Sequence, residues 1–137
     1  MSISPSIRYF IIISASWIVL SGGCGGNRSP EKVHPLESAA ARFNAGCPKM
    51  IDPDTRLDSA SFYPDTLYRY DYTLVNHDAE NIDAAGLSRY LRPRIRSNVS
   101  LDPEMKVQRD HGVTLLFYYR DRKGDFITQV VLTSGEY

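Results

Sequence analysis

The chain has 137 residues, with 16 Lys+Arg against 16 Asp+Glu, and therefore no formal net charge. That balance excludes the basic surplus by which a nucleic-acid binder gains affinity through counterion release, and equally a long acidic solvating tail. With 42% hydrophobic residues, 9 Gly and 8 Pro, the composition is that of one ordinary globular domain, long enough to bury roughly two thirds of its unfolded surface. Residues 1–23 stand apart from the rest. They hold one charged side chain, Arg8, followed by the apolar run Tyr9–Leu20 of 12 residues. About 20 apolar residues are needed to cross the hydrocarbon core, so this run is too short for a permanent span and has the length of the apolar part of a secretory signal.

Leu20-Ser21-Gly22-Gly23-Cys24 resembles the lipobox of bacterial lipoproteins, with Leu20 four positions before the cysteine where the commonest pattern has its aliphatic residue three before. The resemblance implies a signal peptide over 1–23, cleavage after Gly23, and lipid such as palmitate carried by Cys24. Several acyl chains hold a protein on a membrane far more firmly than one. By the same resemblance, Gly25 after the cysteine implies the periplasmic side of the outer membrane if the source has two membranes. Cleavage would remove Arg8, leave a formal charge of −1 on 114 residues, and make Cys47 a thiol without an intramolecular partner. The polar, aperiodic stretch that follows makes 24–34 a flexible tether.

Residues 35–47 read as the first helix: Leu36, Ala39, Ala40, Phe43 and Cys47 recur at helical spacing, Pro35 suits the first turn, and Gly46 with Pro48 ends it. A start at Ser29, with Pro35 as a kink, is the alternative. Asp52-Pro53-Asp54 is turn chemistry, and strands follow at Thr55–Phe62 and Leu67–Val75. In the second of these, Tyr68, Tyr70, Tyr72 and Leu74 alternate with Arg69, Asp71 and Thr73, which gives one packed and one wet face. Ala84, Leu87, Leu91, Ile95 and Val99 mark a second helix, in which Pro93 predicts a kink or break near Leu91-Arg92. A short helix opens at Asp102-Pro103-Glu104 and closes at His111-Gly112, and a hairpin of Val113–Arg120 and Asp125–Thr133 turns at Gly124. The order helix, hairpin, helix, hairpin predicts a single two-layer α+β domain over 35–137, with a four-stranded antiparallel sheet and the helices on one face.

Asn44–Pro48, Asp52–Asp58, Tyr70–Asn76 and Phe117–Asp121 are similar to a family of small exported bacterial proteins of unknown function. This resemblance carries no catalytic residue over.

Few residues suggest chemistry. Cys47 is the one candidate nucleophile, but the apolar stripe and the C-terminal end of its helix both disfavour a thiolate, so packing is the expectation. His34, His77 and His111 fall in the tether and loops without metal-ligand spacing, and Asp52, Asp54 and Asp58 lack the glycine and terminal Glu of a calcium loop. No cofactor and no metal are expected. Arg89, Arg92, Arg94 and Arg96 read as a solvated face near a helix C-terminus, with an acidic partner or anionic lipid heads as the functional alternatives. Arg69, Asp71 and Tyr118 sit on the wet side of the sheet. The expectation is a non-catalytic binding or accessory lipoprotein of the cell envelope, held to the membrane through Cys24, with a possible envelope-protein partner, no nucleic acid, and a binding surface drawn from Arg69, Asp71, Arg89, Arg92, Arg96 and Tyr118. An inhibitor or immunity-like module acting on an exported hydrolase, or a thiol enzyme using Cys47, are the alternatives.

Overall fold

The computed structural model describes residues 32–64 and 67–137. The predicted signal, Cys24 and most of the tether lie outside these residues. Within the compact unit Lys32–Tyr137, helix α1 (Pro35–Asn44) precedes strands β1 (Lys49–Met50), β2 (Thr55–Tyr63) and β3 (Leu67–Leu74). Helices α2 (Ala84–Leu101) and α3 (Lys106–His111) follow, and then strands β4 (Thr114–Asp121) and β5 (Phe126–Leu132).

The α+β reading holds at the level of class, and the sheet corrects its detail. Among the described residues there are five strands, in the order β1-β2-β3-β4-β5, and the sheet is mixed rather than antiparallel. β3 and β4 run parallel, with Tyr70 opposite Phe117 and Tyr72 opposite Tyr119, while the neighbouring pairs are antiparallel. The physical reason is the connection: β3 returns to β4 through α2 and α3, and a helical crossover delivers the next strand in the same direction, whereas a tight turn reverses it. The added strand β1 is two residues pairing with Leu57 and Arg56, too short to register as an alternation.

Local chemistry explains most boundaries. His34 caps α1 by accepting the Leu36 N–H on Nδ1 at 3.2 Å, and Pro35 occupies the first turn, which fixes the start there and not at Ser29. The helix stops at Asn44, so Cys47 lies beyond it, in the segment leading to β1. α2 runs unbroken past Pro93, correcting the expected break. Pro93 is exposed, so its ring displaces no packed core neighbour. Gly112 (φ 56°) terminates α3 in the left-handed conformation, and Gly124 (φ 94°) supplies the positive φ of the β4–β5 turn.

Both main helices cover the same face of the sheet. The core joins Leu36, Ala39 and Ala40 of α1 and Ile95 and Val99 of α2 to Leu57, Ala60, Tyr68, Tyr70, Leu115, Phe117, Tyr119, Val130 and Leu132. As expected, Tyr68 and Tyr70 are packing residues. A buried polar cluster sits among them: Gln108 of α3 donates to the Tyr70 hydroxyl at 2.9 Å, and that hydroxyl lies 3.1 Å from Met105 Sδ.

Candidate functional site

α1 packs on β2 and α2 on β5, which leaves the middle of the covered sheet face without a helix above it. The result is a cleft of about 1100 Å³. Its floor is made by side chains that alternate onto this face of β3 and β4: Tyr70, Tyr72, Phe117 and Tyr119. The parallel register sets these rings side by side, with Tyr70 and Phe117 stacked at 5.2 Å and Tyr72 and Tyr119 at 4.9 Å. Phe43 closes the α1 side with its edge toward Tyr70 at 5.5 Å, and Leu91, Ile95 and Val99 form the α2 wall. Phe43, Tyr72, Leu91 and Cys47 are only half-buried and so present apolar surface to an occupant. The rim carries both signs of charge, with Arg42, Lys49 and Arg94 against Asp52, Asp102 and Glu104.

The phenols and the thiol of the cleft are held in their protonated forms. Burial pushes the phenols of Tyr70, Tyr72 and Tyr119 well above the ordinary tyrosine range. Burial also pushes the Cys47 thiol up, aided by the carboxylate of Asp58 and opposed by Lys49, so at neutral pH the thiol keeps its proton. Among the described residues no group of three or more His, Cys, Asp or Glu side chains is placed to hold a metal ion. Asp52 accepts the backbone N–H groups of Asp54 and Thr55 at 2.8 and 2.7 Å, the turn role expected of it.

The sequence-derived surface residues divide into two groups on opposite faces of the sheet. Arg69, Asp71 and Tyr118 come together on the face away from the helices. Asp71, 6% exposed, accepts from Arg69 Nη2 at 2.6 Å and from Arg120 Nη2 at 2.7 Å, and the Arg69 guanidinium lies 4.2 Å from the centre of the Tyr118 ring. Phe126 stands beside that ring at 5.0 Å and is 51% exposed. Arg89, Arg92 and Arg96 lie instead on the solvent side of α2, where Arg92 is paired with Glu136. Cys24 is outside the described residues.

Arg120 and Phe126 were missed because they meet Asp71 and Tyr118 only through the unanticipated parallel pairing and the irregularity between Tyr119 and Arg120. The cleft was missed for a related reason. Its tyrosine stripe was legible, but the separation of the two helices above it depends on which strands they cover.

Three solved structures share the fold. A Pseudomonas aeruginosa protein described as a secreted-protein candidate superposes with a TM-score of 0.61 at 15% identity, over 74% of this chain and 88% of its own. The pilotin EpsS of the Vibrio vulnificus type 2 secretion system gives 0.58 at 16% identity over 74% and 86%, and the type II secretion pilotin AspS of Vibrio cholerae gives 0.55 at 15% over 74% and 88%. No curated protein matches the chain. Residues 32–127 match a protein family described as a domain of unknown function (DUF8479), and the chain belongs to that family.

Proposed function

We propose that this chain is a lipid-anchored accessory protein of the bacterial envelope that catalyses nothing and holds an amphipathic segment of another envelope protein in the cleft between α1 and α2. The observation that carries this reading is the cleft itself. It has an aromatic floor of protonated phenols, apolar walls and a rim of mixed charge, and its volume exceeds what a single side chain fills. An apolar stripe would meet Phe43, Tyr72 and Leu91 while flanking charges met the rim. The shared fold with two secretion pilotins supports an accessory role in the envelope. In this reading residues 1–23 are the export signal, Cys24 carries the lipid, 24–34 form the tether and 35–137 the working domain, on the periplasmic side of the outer membrane where there are two membranes.

Photocrosslinking in intact cells tests the binding surface. A photoreactive residue at Leu91 should give a discrete protein adduct, and one at Tyr118, on the opposite sheet face, should not. Adducts from Tyr118 alone would move the binding site to the Arg69–Asp71–Tyr118 face and overturn the cleft reading. Labelling with radioactive palmitate tests the anchor: wild type should incorporate it and Cys24→Ser should not.

A further inference from the structure

α2 places four arginines, Arg89, Arg92, Arg94 and Arg96, and no acidic residue between Ala84 and Leu101. All four are exposed. Two have partners: Arg92 pairs with Glu136, and Arg94 lies 4.2 Å over the ring of Tyr90. Arg89 and Arg96 make no ion pair with any described residue. Like charges three and four residues apart on one helix repel by a few tenths of a kcal/mol per pair, and this helix offers no acid four residues away to offset them. The dipole does not account for them either. The helix runs on to Leu101, its last turn holds no base, and the dipole's influence fades within that turn. The expectation that these arginines sit where the helix terminus favours cations is therefore corrected.

Arg89, Arg92 and Arg96, three and four residues apart, form one stripe along the exposed part of α2. Tyr90, with the Arg94 guanidinium over its ring, lines the cleft and so lies on the other flank of the helix. Three exposed cations in one stripe, with no acid on the same helix, match an anionic surface. The entry of the chain into the domain is close by. His34 lies beside His111 with ring centres 5.5 Å apart, and Arg109, two residues before His111, bonds the carbonyls of Val99 and Asp102 at the end of α2.

We infer that the arginine stripe of α2 docks on an anionic phospholipid surface, with Arg89, Arg92 and Arg96 against the headgroups. This rests on the lipid anchor proposed above. Only eight positions separate Cys24 from Lys32, so an anchored domain is confined within about 30 Å of the bilayer. At that effective concentration a weak surface attraction suffices to orient the domain. Each arginine near an anionic surface multiplies the attraction roughly fivefold.

The test is arginine footprinting with phenylglyoxal, read residue by residue by mass spectrometry, on the full acylated protein in phosphatidylcholine vesicles with and without phosphatidylglycerol. Arg89 and Arg96 should react several-fold more slowly when phosphatidylglycerol is present, raised salt should abolish the difference, and Arg122 should not change. In the variant Arg89→Ser with Arg96→Ser, whose replaced side chains are exposed, protection of Arg92 should fall by roughly twenty-five-fold. Equal rates at Arg89 and Arg96 on both vesicles would overturn the docking, as would protection that appears only on adding envelope extract, which would assign these arginines to an acidic protein. Failure of the protein to float with pure phosphatidylcholine vesicles would refute the anchor instead, and the same footprint on added phosphatidylglycerol vesicles at low salt would still decide the docking.

Discussion

Asn44 does for the edge of β2 what a neighbouring strand would do. β1 covers only Leu57 and Arg56, so the outward backbone groups of Ala60 would otherwise be open beyond it. The Asn44 side chain accepts the Ala60 N–H on Oδ1 at 2.7 Å and donates Nδ2 to the Ala60 carbonyl at 2.8 Å, reproducing both bonds of a ladder. An amide is the one short side chain that carries a donor and an acceptor side by side, which is why the last residue of α1 both ends the helix and blunts the sheet edge. Asn44→Ala should lower stability by about 1–3 kcal/mol, the range for two bonds lost at a partly buried site, with Asn44→Asp lowering it at least as much because a carboxylate oxygen then faces the Ala60 carbonyl with no proton to donate. Urea denaturation of the three proteins checks the order. In the sequence Asn44 is a polar residue off the apolar stripe of its helix, and nothing local distinguishes it from a solvated one. Its role depends on a strand 16 residues away.

At the scale of elements, the turn after β4 is tied to the loop before α2 by two carboxylates, Asp121 and Asp78. Asp121, 1% exposed, accepts the N–H groups of Ala79 at 2.9 Å and of Lys123 and Asp125 at 2.8 Å each, while Asp78 beside it is held by Arg122 and Lys123. The Ala79 N–H bond is the main cause holding the Asp121 carboxyl below its ordinary range, helped by Asp125 and Lys123 against burial and the Asp78 charge, and Arg122 does the same for Asp78. Because these groups titrate lower in the folded than in the unfolded chain, the stability they contribute is complete above the unfolded value near pH ~4 and is lost as pH falls through the folded values. The denaturation midpoint should therefore drop on acidification below pH ~4, and Asp121→Asn should be less stable at neutral pH with a shallower drop, since its amide cannot accept at both positions. A midpoint that falls as steeply in the variant as in wild type would remove Asp121 from that account. The helix and strand positions that Asp121 joins were legible from periodicity and from proline and glycine signals, with shifts of one to three residues at their ends. The parallel pairing was not, because alternation states which face a side chain takes and says nothing of the direction or identity of the neighbouring strand.

For the whole molecule, the cleft and the outer sheet face compete as binding surfaces, and Cys47 gives a direct means of distinguishing them. It lines the cleft, is half-buried, and is the free thiol among the described residues. Its thiol is raised chiefly by burial, so the reactive thiolate is scarce at neutral pH and labelling by a soluble maleimide should be slow, accelerating as pH rises toward and past the ordinary thiol range. Two causes of slow labelling, scarcity of thiolate and steric cover, separate by their pH dependence: the first is relieved by alkali, the second is not. A segment seated against Phe43, Tyr72 and Leu91 would add cover, so a cleft-bound partner should slow labelling at every pH, whereas a partner on the Arg69–Asp71–Tyr118 face should leave the rate unchanged. Rapid labelling at neutral pH, independent of alkali, would show a thiolate already formed and would revive the thiol-enzyme alternative. The same measurement on Leu91→Ala, which widens the cleft without touching the sheet, should give faster labelling and weaker protection by the partner, because the wall that confines the occupant has been shortened.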